Sequence, residues 1–442
     1  MTVTPISTSL PLLDLVQPLG GLISGHIQLL NAPGEPRFPT TIARLGDVSQ
    51  VLPGLAKTPA PGMAKTNLDG AGGGLEPEEG VVRATAEALE RYSCCVYDDR
   101  QFLWATANEL GAEALDLNTV ARCSSAELQN PRCPLQAPDK SAPIRWVRGM
   151  SLFDGRLVWI PAVMVFLHMP LLSPAERFWL PISTGCAAHI SMERALIGAI
   201  CEVIERDAVS LTWLQKFSLP KITLDVLPTW LQSYLERNRK SVGVEQHFFD
   251  ATTDIGVPTV YSVQIARENV DLAVLVMCST ELDPAAAIAK VIRESASSRL
   301  AMQSAQTVPE NWDDFCGVSH GAAFMGKPER LPAYDFLLSS PGRRLLSQMP
   351  DLSTGDPRKD LAGLVARFRK RHMDIFAVDL TTDEALRSGM RIVRAIIPGL
   401  QPLSFSHRAR YLGHPRLREA PGLIGFRSFN EEEMNPWPQP FA

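Results

Sequence analysis

The spacing of apolar positions sorts the chain into elements before any chemistry is considered. After a small turn at Ser183-Thr184-Gly185, Ile190, Ala195, Ile197, Ala199, Ile200, Val203 and Ile204 recur at helical intervals, which predicts a largely buried helix ending near residue 217. A second helical pattern covers 77–97. Asp283 followed by Pro284 predicts the start of a third helix, running to about 303, with an Asp cap and Pro in the first turn. A fourth is predicted at 360–371. Apolar runs predict strands at 146–149 and 156–161 around the turn Asp154-Gly155, and again at 245–249, 258–265, 272–278, 374–380 and 391–397. Residues 1–60 are rich in Pro and Gly and read as an extended or hairpin-like segment packed on the main body. Residues 105–143 and 305–360 are turn-rich. The mixed order predicts an α+β (mixed α/β) fold with sheets packed against helices.

Polar residues on two of these helices change the picture. Glu202, Glu205 and Arg206 stand at i, i+3 and i+4, stacking two carboxylates and a guanidinium along one helix side. Glu87, Glu90 and Arg91 repeat that triplet. A buried carboxylate needs a cation, an arginine or a metal. Either each triplet is a salt bridge, or the two together form a metal–phosphate site. Magnesium takes carboxylate and phosphate oxygens, and arginine grips phosphate through its planar fork. Two triplets favour the site, as do the glycine cluster Asp69-Gly70-Ala71-Gly72-Gly73-Gly74 and the Ser183-Thr184-Gly185 turn. The cluster itself reads either as a place of close ligand approach or as a flexible loop. His189 reads equally as a nucleotide contact or base and as a satisfied interior histidine. Glu193 reads as a solvent-facing helix residue.

Composition removes other classes. The chain has 442 residues, 45% of them hydrophobic and 21% charged, with net charge −5. That balance argues against nucleic-acid binding, and there is no basic amphipathic run for a membrane surface. The most apolar stretch, 157–172, is interrupted by Pro161, His168 and Pro170, and no export signal opens the sequence. Eight cysteines without a Cys-x-x-Cys pair read as thiols in a reducing cytoplasm rather than a zinc site. Gly321 to Lys327 mimics a phosphate-binding loop, but Pro328 replaces the metal-binding hydroxyl and no strand precedes it. Rossmann glycines and a Gly-x-Ser-x-Gly elbow are absent.

These motifs together resemble the YcaO family, specifically its azoline-forming peptide cyclodehydratases. The likeness is carried by Glu87-x-x-Glu90-Arg91, Trp146-x-x-Gly149-x-Ser151-Leu152, Pro161-Ala162 and Ser183-Thr184-Gly185-x-Ala187-Ala188-His189. It continues through Glu202-Val-Ile-Glu205-Arg206-Asp207-Ala208 and Pro398-Gly399-Leu400-x-Pro402-Leu403 to a tail with Pro436, Pro438 and Pro440. It spans roughly 60–442. This resemblance implies an ATP-binding fold that is neither P-loop nor Rossmann, with 1–60 as an N-terminal extension, 61–430 as the catalytic domain and 431–442 as a tail reaching the active site. Glu87, Glu90, Glu202 and Glu205 would hold Mg2+, with Arg91 and Arg206 near the ATP phosphates. Glu294, with Lys290 or Arg299, resembles a third family motif. Lys65, Ser183 and Glu193 join the nucleotide-binding set. Pro438, Pro440, Ala442 and His189 are the catalytic candidates. The chain departs from the family pattern at Arg83, Arg194 and Lys290.

By resemblance, a Cys, Ser or Thr side chain of a ribosomal precursor peptide attacks the preceding amide carbonyl. ATP phosphorylates the resulting oxyanion, and loss of phosphate leaves a thiazoline or oxazoline. Expected partners are the precursor peptide, a leader-peptide-binding, adenylating-enzyme-like protein in trans, a flavin azoline dehydrogenase and a second copy of this chain. Backbone thioamidation or macroamidine formation is the alternative within the family, and a non-catalytic nucleotide-binding scaffold the alternative outside it.

Overall fold

The computed structural model describes residues 11–441, apart from 32, 47, 51, 53, 54, 56–67, 242 and 304–306. Lys65 and Ala442 lie outside the described residues. Helices and sheets mix as the sequence pattern predicts, giving an α+β fold. The first sheet is an antiparallel trio of β1 (Ile23–Leu29), β2 (Thr40–Leu45) and β3 (Gly70–Gly73). The second takes β4 (Leu103–Ala105), β5 (Ile144–Ser151), β6 (Leu157–Pro161) and β7 (Cys186–His189). To it the chain later adds β13 (Phe376–Asp379) and β14 (Arg391–Ile396), in the order β4-β5-β13-β14-β7 with β6 on β5. The third has the order β11-β10-β9-β8-β12, built from β8 (Lys221–Thr223), β9 (Glu245–Asp250), β10 (Thr259–Ile265), β11 (Val274–Thr280) and β12 (Arg343–Leu345).

Three long helices position the functional side chains. Helix α1 (Pro77–Ser93) lies on the first sheet, with Pro77 at its start and Glu78 and Glu79 in the first turn, where carboxylates suit the helix dipole. Helix α2 (Met192–Leu214) packs on β7 and β14 of the second sheet and on β11 of the third. Being covered from two sides explains why it is apolar almost all round. Helix α3 (Pro284–Met302) covers β10 and β11, and the Asp283 side chain accepts the Ala285 N–H at its start, as the Asp-Pro pair predicts.

Two expectations are corrected. The glycine cluster is not a flexible loop: it is strand β3, pressed against α1. A Cβ on Gly70 or Gly72 would collide with the Ala84 or Gly80 carbonyl of that helix, and one on Gly73 would lie 2.6 Å from Ser297 Oγ of α3. The turn at 183–185 leads first into β7, and only then into α2. The short run Cys186–His189 lacks a strand signature of its own, and pairing with β14 determines it. The stretch mimicking a phosphate loop is a short helix, Val318–Met325. Gly321 there lets the C-terminal tail pass, since a Cβ would run into the Gln439 carbonyl.

Candidate active site

Three of the glutamates of α1 and α2, Glu87, Glu202 and Glu205, are drawn to a backbone N–H in or beside a strand. Glu87 Oε2 accepts from Ala71 N of β3 at 2.6 Å. Glu202 Oε2 accepts from Gly185 N, just before β7, at 3.0 Å. Glu205 Oε2 accepts from Thr280 N, at the end of β11, at 3.1 Å. Two of these donors depend on glycine. Gly70 and Gly72 bring β3 close enough to α1 for Ala71 to reach Glu87, while Gly185 has φ +85 and no room for a Cβ against the Ala395 carbonyl.

Cations lace the acids together. Arg91 pairs with Glu87 at 2.7 Å and also donates to the Asp69 carbonyl. Arg206 pairs with Glu202 at 3.1 Å and with Glu205 at 3.2 Å; its Nη1 faces Glu205 without hydrogen-bond alignment. From α3, Lys290 lies 3.6 Å from Glu205 and 3.3 Å from Glu281, and Arg293 pairs with Glu294 at 3.1 Å. Six carboxylates thus surround four cations. Burial pushes the Glu90 carboxyl well above its usual range, and Glu202 and Glu87 add to this. Glu90 accepts no hydrogen bond from the described residues. Burial raises Glu205 to about 7 even though Lys290 and Arg206 pull the other way. Glu87 is raised by burial against the pull of Arg91 and the Ala71 N–H, although 32% of its side chain still meets solvent. Lys290 is raised well above its ordinary value: burial opposes its charge, but Glu205, Glu281 and Glu294 outweigh burial.

This surplus of mutually destabilised carboxylates fits a divalent cation, which would relieve it. Among the described residues no three His, Cys, Asp or Glu side chains converge closely enough to hold a metal by themselves. That suits Mg2+, which is usually held by one or two carboxylates plus substrate phosphates.

The end of the chain closes over this site. Trp437 packs edge-on against Trp312 at 5.0 Å, and its carbonyl accepts Trp213 Nε1 at 3.1 Å. Pro438 and Pro440 are buried, and Phe441 bridges to Val276 of β11. The Phe441 ring lies 4.4 Å from the Arg206 guanidinium, a cation–π stack on the arginine that joins both α2 glutamates.

A family model described as YcaO cyclodehydratase, ATP- and Mg2+-binding, matches residues 71–401. The chain belongs to the YcaO family. ATP and Mg2+ are the cofactors that come with YcaO membership. An uncharacterized protein of Methanothermobacter thermautotrophicus is 30% identical over 341 residues, 76% of this chain and 82% of that protein. A solved heterocyclase in complex with substrate and cofactor shares the fold at TM-score 0.79 and 22% identity; it covers 98% of this chain, which spans only 58% of that one. YcaO from Methanopyrus kandleri bound with AMPPCP and Mg2+ has TM-score 0.60 and 19% identity, covering 86% of each chain.

Within this YcaO chain the expected site residues divide. Glu87, Glu90, Arg91, Glu202, Glu205, Arg206, Lys290 and Glu294 come together. Ser183 sits at the turn beside them, its carbonyl accepting the Cys186 N–H at 2.8 Å. Arg299 does not join: it is fully buried and forked onto Glu35 at 2.5 and 3.0 Å. Five helical residues past Glu294, it faces the other side of α3. Glu193 is in the first turn of α2, bonded to Ser191 Oγ at 2.8 Å and Arg358 at 3.1 Å, about 13 Å along the axis from Glu202. His189 ends β7 at the far end from Gly185. Its Nδ1 accepts the Ser191 N–H at 3.1 Å, and burial with Arg194 nearby lowers its pKa, so it is a satisfied histidine apart from the cluster. Arg83 donates to the Gly73 carbonyl at 2.6 Å, tying α1 to β3. The backbone donors at Ala71, Gly185 and Thr280 carry no side-chain signal, and sequence reasoning passed over them, as it did Glu281, Arg293 and Phe441.

Proposed function

We propose that this chain is an ATP- and Mg2+-dependent peptide cyclodehydratase that converts Cys, Ser or Thr of a ribosomal precursor peptide into thiazoline or oxazoline. The observation that carries this reading is the proline tail ending on Arg206, which ties the chain's last residues to the two-helix acid cluster. Glu87, Glu90, Glu202 and Glu205 would hold magnesium jointly with the ATP phosphates, with at most two of these carboxylates to one ion. When bound, Mg2+–ATP supplies the phosphoryl group that makes an amide oxygen a good leaving group. Arg91 and Arg206 lie among those acids, where fixed positive charge offsets charge that develops on phosphoryl oxygens. Phe441 holds the Arg206 guanidinium against rotation, and Pro438 and Pro440 stiffen the segment that presents it. An adenylating-enzyme-like partner would deliver the peptide through its leader, a flavin dehydrogenase would oxidise the azolines, and the enzyme would act as a homodimer.

The test is mass spectrometry of a Cys/Ser/Thr-rich peptide encoded beside the gene, incubated with this protein, the neighbouring partner, Mg2+ and ATP. Successive losses of one water, absent without ATP or with Glu205→Ala, are expected. A mass gain of sulfur for oxygen would assign thioamidation instead, and loss of water between an N-terminal amine and a backbone amide would assign a macroamidine. An unchanged peptide with no nucleotide binding would leave a scaffold.

A further inference from the structure

Behind the acid cluster lie two sulfurs that the proposed reaction does not use. Cys94 caps the end of α1, four residues beyond Glu90. Cys186 opens β7, directly after Gly185, whose N–H holds Glu202. Both are buried, at 0% and 4% exposure, and their Sγ atoms are 3.0 Å apart. Arg394, the register partner of Cys186 on β14, donates from Nη1 to the Cys186 sulfur at 2.8 Å. That guanidinium is 2% exposed, pairs with no carboxylate, and its Nε has no partner among the described residues. A buried cation of this kind requires an anion, and the Cys186 sulfur, accepting from both Arg394 and Cys94, is the group placed to be one.

We propose that Cys94 and Cys186 form a reversible disulfide that clamps the end of α1 to β7 and weakens divalent-cation binding at the glutamate cluster. The second half of this rests on the reading of that cluster as the magnesium site. Burial acts to raise the Cys186 thiol, but the hydrogen bond from Cys94 and the charge of Arg394 bring it down to about 7. Burial instead pushes Cys95 up to about 12, and raises Cys201 and Cys278 as well. Among these buried thiols Cys186 is the one whose sulfur accepts from a guanidinium and lies beside a second sulfur, which favours its thiolate. With hydrogen peroxide as oxidant, the Cys186 thiolate attacks the O–O bond, forming a sulfenic acid and releasing hydroxide. The Cys94 thiol then attacks that sulfur, the S–S bond forms, and the sulfenic hydroxyl leaves with the Cys94 proton as water. Two thiols are oxidised and one peroxide is reduced. A dithiol reductant reverses the bond by exchange.

The electrostatic consequence follows from Arg394. In the reduced protein its charge is matched by sulfur. In the disulfide that sulfur partner is lost and Glu202 is left as the carboxylate that attracts Arg394, so the guanidinium competes with a cation for it. Its charge also repels the cation that Glu202 would bind.

The test treats the full-length reduced protein with hydrogen peroxide, blocks remaining thiols, and maps peptides by mass. The expected product joins the Cys94 and Cys186 peptides with loss of two hydrogens, forms unchanged in Cys95→Ala, and is absent in Cys94→Ser. Calorimetry with Mg2+–ATP should show affinity at least about tenfold weaker after cross-linking, since one unmatched charge near a partly buried site is worth several times the thermal energy. Dithiothreitol should restore it. Surviving thiols, a bond through Cys95, or a cross-linked protein binding Mg2+–ATP as tightly as the reduced one would overturn the proposal. If the reduced protein binds no Mg2+–ATP, the assignment of the magnesium site falls, and the cross-link still stands or falls on the peptide masses.

Discussion

Replacing Glu205 by Gln tests the electrostatics of the site most directly. The side chain is 3% exposed, and Lys290, Arg206 and the Thr280 N–H all favour its ionised form. Burial and the neighbouring glutamates still win, raising the carboxyl from 4.5 to about 7. At 1.36 kcal/mol per tenfold, keeping Glu205 ionised in the cofactor-free protein costs about 3 kcal/mol. The native state holds this proton up to about pH 7, while the unfolded chain loses it near 4.5. Stability contributed here is therefore full below about 4.5, falls as pH rises to about 7, and stays lost above. Glutamine keeps the shape and still accepts from Thr280 without the charge. In EDTA, Glu205→Gln should melt with the wild type at pH 5 and about 3 °C above it at pH 8, if roughly 2 cal/mol/K per residue applies over the whole chain. Differential scanning calorimetry at the two pH values measures this. Addition of Mg2+–ATP should reverse the order at pH 8, because a ligand stabilises only the protein that binds it. Equal melting gaps at both pH values, or a variant less stable at pH 8 in EDTA, would refute the argument.

Three other outcomes follow from the geometry. Arg299→Ala should destabilise the fold by about 3–5 kcal/mol in urea denaturation by stranding Glu35, yet leave the Mg2+–ATP affinity of the folded protein within about twofold. Phe441→Ala removes a cation–π contact worth about 1–2 kcal/mol. Turnover of precursor peptide should drop about tenfold while nucleotide affinity, read by calorimetry, changes little. Gly72→Ala should push β3 off α1, costing about 2 kcal/mol in denaturant titration and weakening Mg2+–ATP binding through loss of the Ala71 N–H from Glu87.

Among the described residues no helix is long and apolar enough to cross a membrane.

Local patterns were enough for much of the architecture. The Asp283-Pro284 start of α3, the hairpin about Gly155 and the buried character of α2 follow from capping, turn and periodicity rules that act within a few residues. The two Glu-x-x-Glu-Arg triplets were legible for the same reason, because one helical turn brings i, i+3 and i+4 onto one side. Sequence spacing alone cannot say which helix faces which. Only the packing of α1, α2 and α3 around β3, β7 and β11 admits Lys290 and Glu294 to the cluster and turns Arg299 away to Glu35. The glycine cluster is ambiguous by itself, since glycine permits both a loose loop and a close contact; the helix pressed against it makes it a strand. His189 and Glu193 belong to motifs that read as functional, yet they sit at the far end of β7 and in the first turn of α2, bonded to Ser191 and Arg358 rather than to the acid cluster. The glycines that admit the donors at Ala71 and Gly185 are visible in the chain, whereas the Thr280 N–H on Glu205 and the ring over Arg206 bear no mark in it. They exist because Thr280 comes to Glu205 across 75 positions and Phe441 to Arg206 across 235, and that is decided by long-range packing.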